Sequence, residues 1–358
     1  MRLLFVSYLH GFGGAEKQII MLANEMAKLG HEVHLFSLSE NNPCYPIDEK
    51  VNYFFQIDVH SNRILNIMDR YVALKKAIKK IEPELIIHFN MQSAYMCAFM
   101  GGSIAQNTIY AERGDPYDKE YSGLLGHLRK YMSKRIGGFV FQTKGAQDFF
   151  PDYVKQKSVV INNPVFINME NIENRKAIEK KIVNVGRLHE QKNQKLLIRA
   201  MKLLPSEYDE YILEIYGEGE LRSELEDLID ELELSNCVKL LGTYEDVVDR
   251  IKNAAVFVLS SDFEGMPNAL AEAMALGIPC ISTDCRPGGA RALINSGENG
   301  IIVPVNDAEK LAGAISAILS DRELQNKFSK NAIKRMKELT PDKIYRKWEK
   351  FFLQMMNK

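Results

Sequence analysis

Two acids, Glu264 and Glu272, bracket the stretch Glu264-Gly265-Met266-Pro267-Asn268-Ala269-Leu270-Ala271-Glu272. The apolar run Ala254 to Leu259 ahead of it predicts a buried strand. Asn268 to Ala275 predicts a helix, with Gly265 making the turn and Pro267 at the first helical position. A strand leading into a helix start makes an anion site, because the N–H groups around Gly265, Met266 and Asn268 and the helix dipole all favour negative charge. At about 1.5 Å rise per residue, the two acids would stand roughly 12 Å apart along a continuous helix. A glycosidase pair needs its carboxyl groups about 5 to 9.5 Å apart, so the spacing excludes that chemistry, and a shared metal with it. It fits one long ligand held at two ends with negative charge between, the outline of a nucleotide-sugar. The plainer alternative is an acid that favours a helix start and a second that faces solvent.

Other loops carry polar residues at predicted strand ends. Gly186-Arg187-Leu188-His189-Glu190-Gln191-Lys192-Asn193 follows the strand Ile182 to Val185, and its two cations suit a diphosphate leaving group, unless they are ordinary solvated loop charges. Gly217-Glu218-Gly219 and Leu241-Gly242-Thr243-Tyr244 follow two later strands. Near the start, Gly11-Phe12-Gly13-Gly14-Ala15-Glu16 approximates the dinucleotide fingerprint, with Glu16 in place of its third glycine and Glu40 where a ribose-binding acid would lie. An NAD-linked oxidoreductase is therefore an open alternative. His88-Phe89-Asn90-Met91-Gln92 and Glu112-Arg113-Gly114-Asp115-Pro116 end two further strands, where a lone His or Arg is more often structural.

Taken in order, these motifs resemble the retaining GT-B glycosyltransferases of family four, the glycosyl transferases group 1, of the bacterial surface-polysaccharide type. The resemblance covers nearly the whole chain and is most specific in the second half. It implies that Glu264 contacts the donor sugar, Glu272 the ribose, and Arg187 and Lys192 the diphosphate beside Gly265, Met266, Pro267 and Asn268. By the same resemblance Gly186, Gly217 and Tyr244 border the nucleotide, and Gly13 and Gly14 approach the donor phosphates from the other domain. Asn90 takes the place of a histidine near the transferred sugar, and Glu112, Arg113 and Asp115 belong to the acceptor side. The loop Thr283 to Ala292 departs from the pattern and leaves Arg286 and Arg291 without a role. The implied reaction moves a hexose or N-acetylhexosamine from a UDP-sugar to a hydroxyl of a glycan or lipid-linked sugar. It needs no cofactor and, since the chain has no Asp-x-Asp motif, no metal. GDP-sugar transfer, nucleotide-sugar epimerisation and a noncatalytic binding module remain open beside it.

The composition is that of a soluble globular protein: 358 residues, 46% hydrophobic and 26% charged, suggest two domains of ordinary size. No apolar run approaches 18 residues, and the first residues read as a strand, not a signal peptide, so a cytoplasmic location is expected. Five cysteines without a C-x-x-C pair point to reduced packing residues. A net charge of −1 argues against nucleic acid as partner. That charge is split unevenly, about +3 over residues 1–165 and −4 over the rest. Basic residues cluster with apolar ones at 63–80 and 117–135, the pattern of helices that rest weakly on an anionic membrane surface or, equally, of core helices with solvated charges.

The elements that must position these residues alternate. Strands at Leu3 to Tyr8, His31 to Leu38, Leu85 to His88, Asn107 to Glu112, Phe139 to Gln142 and Ser158 to Ile161 are separated by helices, and the pattern restarts at Ile182. An α/β fold of two doubly wound, Rossmann-like parallel-sheet domains facing a cleft follows. The first domain spans 1–165, the linker 166–180 and the second domain 181–340, and the resemblance implies that the first binds the acceptor and the second the donor. A last helix over 341–358, with Trp348, Phe351 and Phe352 on its apolar side, packs back on the first domain by resemblance.

Overall fold

The computed structural model describes residues 1–9, 14–39, 43–118, 122–167 and 178–357. It divides into two compact units, Met1–Asn163 with Asp342–Lys358, and Pro164–Pro341. The first contains β1 (Arg2–Ser7), α1 (Gly14–Lys28), β2 (Glu32–Ser37), β3 (Val51–Phe55), α2 (Arg63–Ile81), β4 (Leu85–His88), α3 (Met91–Met100), α4 (Gly102–Gln106), β5 (Thr108–Glu112), α5 (Gly123–Arg135), β6 (Gly138–Phe141), α6 (Lys144–Asp148), α7 (Asp152–Lys155) and β7 (Ser158–Val160). The second contains β8 (Glu179–Val185), α8 (Gln194–Lys202), β9 (Ile212–Tyr216), α9 (Arg222–Glu231), β10 (Val238–Gly242), α10 (Val247–Ile251), β11 (Ala254–Leu259), α11 (Asn268–Ala275), β12 (Cys280–Thr283), α12 (Gly289–Leu293), β13 (Ile301–Val303), α13 (Ala308–Ser320) and α14 (Arg322–Met336). The helix α15 (Pro341–Met356) returns, from Asp342 on, to the first unit.

Both sheets are wholly parallel. Their strand orders are β3-β2-β1-β4-β5-β6-β7 and β10-β9-β8-β11-β12-β13. In each, the winding reverses beside the first strand: β1 pairs with β2 and β4, and β8 with β9 and β11. Such sheets are covered on both faces, and the inner strand β11 is accordingly apolar and buried throughout. The strand β3 had no counterpart in the sequence reading. It pairs at the edge of the first sheet and is only partly buried, so its residues lack the continuous apolar run that marks the inner strands.

Helix ends are set by local chemistry. Asn62 caps α2 by accepting from Ile64 N at 2.8 Å, and Glu82, at φ 49°, ends it in the left-handed region. The helix α15 buries Ile344, Tyr345, Trp348, Phe351 and Phe352, and its Phe352 meets Phe5 of β1 edge-on at 6.5 Å. Each such side chain contributes about 1.5 to 3 kcal/mol when removed from water, so α15 is part of the first unit's core. All five cysteines are free, with Cys97, Cys280 and Cys285 buried.

Candidate active site

Ligands of doubly wound sheets bind beyond the carboxyl ends of the strands where the winding reverses. In the second unit those strands are β8 and β11. Arg187 and Lys192 leave the first and Glu264 leaves the second. The loop after β8 contains a single 3₁₀ turn, Glu190–Lys192, capped by His189 Nδ1, which accepts from Gln191 N at 3.1 Å. It is laced to the loop after β11: Asp262 N donates to Gln191 O at 2.9 Å, Ser260 Oγ to Lys192 O at 2.8 Å, and Asn193 Nδ2 to Asp262 Oδ1 at 2.8 Å.

Glu264 is buried, 7% exposed. A buried carboxylate is costly unless charge and hydrogen bonds compensate it, and here they do. Lys192 Nζ forms an ion pair with Oε1, and Ser261 Oγ donates to the same oxygen at 2.8 Å. Gln191 Nε2 is bound to Phe263 O at 2.9 Å and reaches Oε2 only at 3.5 Å. One carboxylate oxygen is thus committed to the protein and the other is only weakly held. Arg187 is exposed and has no ion pair among the described residues.

Beside Arg187 the loops after β8, β9 and β10 close on one another. Gly186 N donates to Tyr216 O at 2.9 Å, Leu188 N to Glu218 O at 3.0 Å and Gly217 N to Gly242 O at 2.8 Å. Gly217 is required by contact as well as by its φ of 144°, since a Cβ there would lie 2.1 Å from Gly186 O. These loops enclose a hollow of about 310 Å³ lined by Gly186, Arg187, Tyr216, Gly217, Gly242 and Tyr244. Tyr244 meets Tyr216 edge-on at 6.0 Å, and Arg250 covers its ring at 3.8 Å while bound to Asp246 at 2.8 Å.

The helix α11 starts at Asn268, one residue later than the sequence suggests. Pro267 precedes the first helical position, because its ψ of 104° is extended, and it serves as the cap. Met266 and Pro267 are buried, while Gly265, Asn268 and Glu272 are half-buried. The turn is backed closely by the loop after β12: a Cβ on Gly289 would lie 2.4 Å from Gly265 O, and Glu264 N donates to Arg286 O at 2.6 Å. In that loop Arg291 is held by Asp284 through two bonds of 2.6 Å, whereas Arg286 is exposed.

At the equivalent edge of the first unit the residues are used differently. Gly14 opens α1, and Gly13 and Glu40 lie outside the described residues. Asn90 caps α3, its Oδ1 accepting from Gln92 N at 2.8 Å and Ser93 N at 3.4 Å, so its amide nitrogen is what it offers a ligand. His88 is fully buried between Ser93 Oγ at 2.8 Å and Cys97 Sγ at 3.4 Å, and burial pushes its pKa down to about 3. Glu112 is buried with Oε1 accepting from Arg113 N and Gly114 N, both at 3.1 Å, and Oε2 from Tyr110 OH at 3.1 Å. Burial raises its pKa, and these bonds oppose the rise. The Arg113 guanidinium lies 4.0 Å from the centre of the Phe89 ring and 5.3 Å from that of Trp348, and donates to Asn163 Oδ1 at 3.0 Å. Burial lowers its pKa to about 9. Asp115 is buried and accepts from Tyr117 N at 3.0 Å.

Two residues at the second unit's edge escaped the sequence reading, Ser261 and Gln191. Both act on Glu264, and the one signal available was their adjacency to Glu264 and Lys192 in the chain. Among the described residues no cluster of three or more His, Cys, Asp or Glu side chains is arranged to hold a metal ion.

Known proteins resemble this chain in sequence and fold. The family described as glycosyl transferases group 1 matches residues 166–335, and that described as glycosyltransferase family 4 matches residues 12–167. A Campylobacter jejuni α-1,4-N-acetyl-D-galactosaminyltransferase, named for an undecaprenol-diphosphate-linked acceptor, is 25% identical over 100% of this chain and 99% of its own. An uncharacterised glycosyltransferase of Haemophilus influenzae is 24% identical over 96% of this chain and 98% of its own. Among solved structures, Anabaena HepE in complex with UDP is similar in fold, with a TM-score of 0.80, 18% identity, and 99% and 100% of the two chains covered.

Proposed function

Because the chain belongs to the group 1 glycosyltransferases of family four and has their GT-B fold, we propose that its transfer reaction takes a hexose or N-acetylhexosamine from a UDP-sugar. The acceptor in this reading is a hydroxyl of a glycan or lipid-linked sugar in surface polysaccharide assembly, in keeping with the relative that acts on an undecaprenol-linked glycan. The observation that carries the reading is the ion pair of Lys192 with Glu264 where the second sheet reverses its winding, together with Arg187, on the same loop as Lys192, lining a hollow of about 310 Å³. A nucleotide base with its ribose suits the hollow, whose aromatic wall is Tyr244. Glu272, half-buried in α11, takes the ribose hydroxyls.

The diphosphate then lies against Arg187, Lys192 and the backbone around Gly265, Met266 and Asn268, where fixed positive charge is most useful as the leaving group gains charge. Lys192 is shared between the phosphate and Glu264, and the less committed oxygen of Glu264 accepts from hydroxyls of the donor sugar. The bond from the anomeric carbon to the phosphate oxygen breaks, the acceptor oxygen bonds to that carbon on the same face, and the acceptor proton passes to the departing phosphate oxygen. The configuration is retained. Two cations take the part that a metal plays in other transferases, so turnover is independent of added divalent ions. On the first unit, the Asn90 amide, Glu112, Arg113 and Asp115 serve the acceptor side. Their existing bonds give Glu112 and Arg113 a role in holding the loop that meets it.

A thermal-shift series over UDP- and GDP-sugars tests the donor, because a ligand that binds the folded state raises its stability with concentration. Stabilisation by UDP-sugars alone, and turnover unchanged by a chelator, are the expected results. Stabilisation by GDP-sugars alone, or loss of turnover on chelation, would sink the corresponding part of the reading.

A further inference from the structure

Four consecutive residues of the loop between β10 and α10, Thr243 to Asp246, are exposed. An exposed loop side chain ordinarily hops among its rotamers. Tyr244 is instead held from two directions: its ring meets that of Tyr216 edge-on at 6.0 Å, and the Arg250 guanidinium lies 3.8 Å from its centre. Each holder is itself fixed. Tyr216 is 3% exposed, and its hydroxyl donates to Glu214 Oε2 at 2.6 Å. Arg250 Nε donates to Asp246 Oδ1 at 2.8 Å, one helical turn earlier. The acid stands on the amino-terminal side, the favourable order for such a pair. The short helix that carries Arg250 is anchored by its neighbour Ile251, which is buried.

Tyr244 is also the part of the hollow's lining with most freedom to move. The glycine stretches of that lining are tied together, Gly217 N donating to Gly242 O at 2.8 Å. Neither glycine has room to spare: a Cβ on Gly217 would meet Gly186 O at 2.1 Å, and one on Gly242 would meet Glu218 Oε1 at 3.0 Å. The width of the hollow therefore depends on where the Tyr244 ring stands, and that depends on Arg250, which does not line the hollow itself. At about 310 Å³ the space is also at the small end of the usual range for ligand sites, about 300 to 1,000 Å³.

We propose that Arg250, held by Asp246, is a positioning residue for base selection: it keeps the Tyr244 ring in place as a wall and so restricts the hollow to a single-ring, pyrimidine base. The inference rests on the reading that this hollow takes the base of the donor. A wall already in place needs no ordering when the base arrives, which favours binding. A wall that cannot retreat meets the second ring of a purine, which selects against it. A stacked cation at an exposed site is a modest interaction, so its loss changes affinity and preference and leaves folding intact.

The test is titration calorimetry of UDP and GDP with the full chain and with R250A, R250K and Y244A. The parent should bind UDP more tightly than GDP. R250A should weaken UDP about three-fold and bind GDP no more weakly than the parent does, with an unchanged melting temperature. R250K, which keeps a cation over the ring but not the flat stack, should recover part of the UDP affinity. Y244A should lose at least as much UDP affinity as R250A. Equal weakening of UDP and GDP by R250A overturns the proposal, since Arg250 would then act only as a charge near the diphosphate. So does an R250A that binds both nucleotides as the parent does while Y244A does not. If Y244A also binds UDP like the parent, the base lies elsewhere and the reading of the hollow fails. A parent that prefers GDP, or binds neither nucleotide, overturns the donor reading and the inference together.

Discussion

The two units wind their sheets alike and treat the carboxyl edge in opposite ways. In the second, Glu264 is buried but keeps one oxygen weakly bound, Lys192 is its counter-charge, and Arg187, on the same loop as Lys192, stands exposed. In the first, His88 is sealed between Ser93 and Cys97, Asn90 has spent its oxygen on a helix cap, and Arg113 lies against the stacked rings of Phe89 and Trp348. One edge keeps polar capacity for a ligand, and the other uses it to hold loops. A shared topology therefore says where a ligand could bind. Which polar groups remain uncommitted is what distinguishes the two edges.

The sharpest way to break this contrast is acid. His88 has a folded pKa of about 3 against about 6.5 unfolded. Between those values the unfolded chain binds a proton that the folded one refuses, so stability falls as pH falls through the window, by roughly 5 kcal/mol in all. Glu112, raised by burial, works the other way: its stabilising contribution is present at low pH and is lost as pH rises through its folded value. Hydrogen exchange at pH 7 and 4.5 should show amides of the first unit losing protection far more than those of the second, and His88→Gln should flatten the difference. Equal loss in both units would remove the distinction.

Next in size, Lys192→Ala should lower kcat/KM about 10² to 10³-fold, the usual effect of removing a group aimed at developing charge. Arg187→Ala should act in the same direction while leaving the melting temperature nearly unchanged, since its side chain is exposed. Glu272→Ala should weaken donor binding about ten-fold with little change in kcat, and an unchanged affinity would cancel its ribose role. Ser261→Ala, which leaves Lys192 as the one remaining partner of the committed oxygen of Glu264, should cost several-fold in kcat and be rescued by Thr. Smallest of all, Asn90→Ala should cost about 1 kcal/mol of stability as a lost cap. Asn90→Asp keeps the cap, so a fall in its turnover would reveal a task for the amide.

The fold was largely legible because alternating apolar strands and amphipathic helices announce a parallel sheet with little else to compete. The edge strand β3 was not, since a half-exposed strand has no strict pattern to display. Spacing placed Glu264 and Lys192 on loops after strands, but nothing in the chain could show that side chains 72 residues apart form an ion pair. Ser261 and Gln191 were hidden for the same reason: their partner is chosen by how two loops are laced, not by a repeat. His88 could be assigned to a strand end, yet its neutrality depends on Ser93 and Cys97, which only the turn into α3 brings back to it.

The placement of Arg113 also sets an order of events during synthesis. Its guanidinium is bound on one side to Asn163, where the chain leaves the first unit, and on the other to Trp348 of α15. On the ribosome, all 178 residues from Pro164 to Pro341 emerge between those two partners. The second unit is complete before the first receives its last aromatic layer. Until then Phe5 and Phe89 lack the rings that α15 brings, and a cation waits beside them for half of its stacking. The first unit is begun first and finished last, so a nascent chain held short of Trp348 would carry a folded second unit and a first unit still open to chaperones.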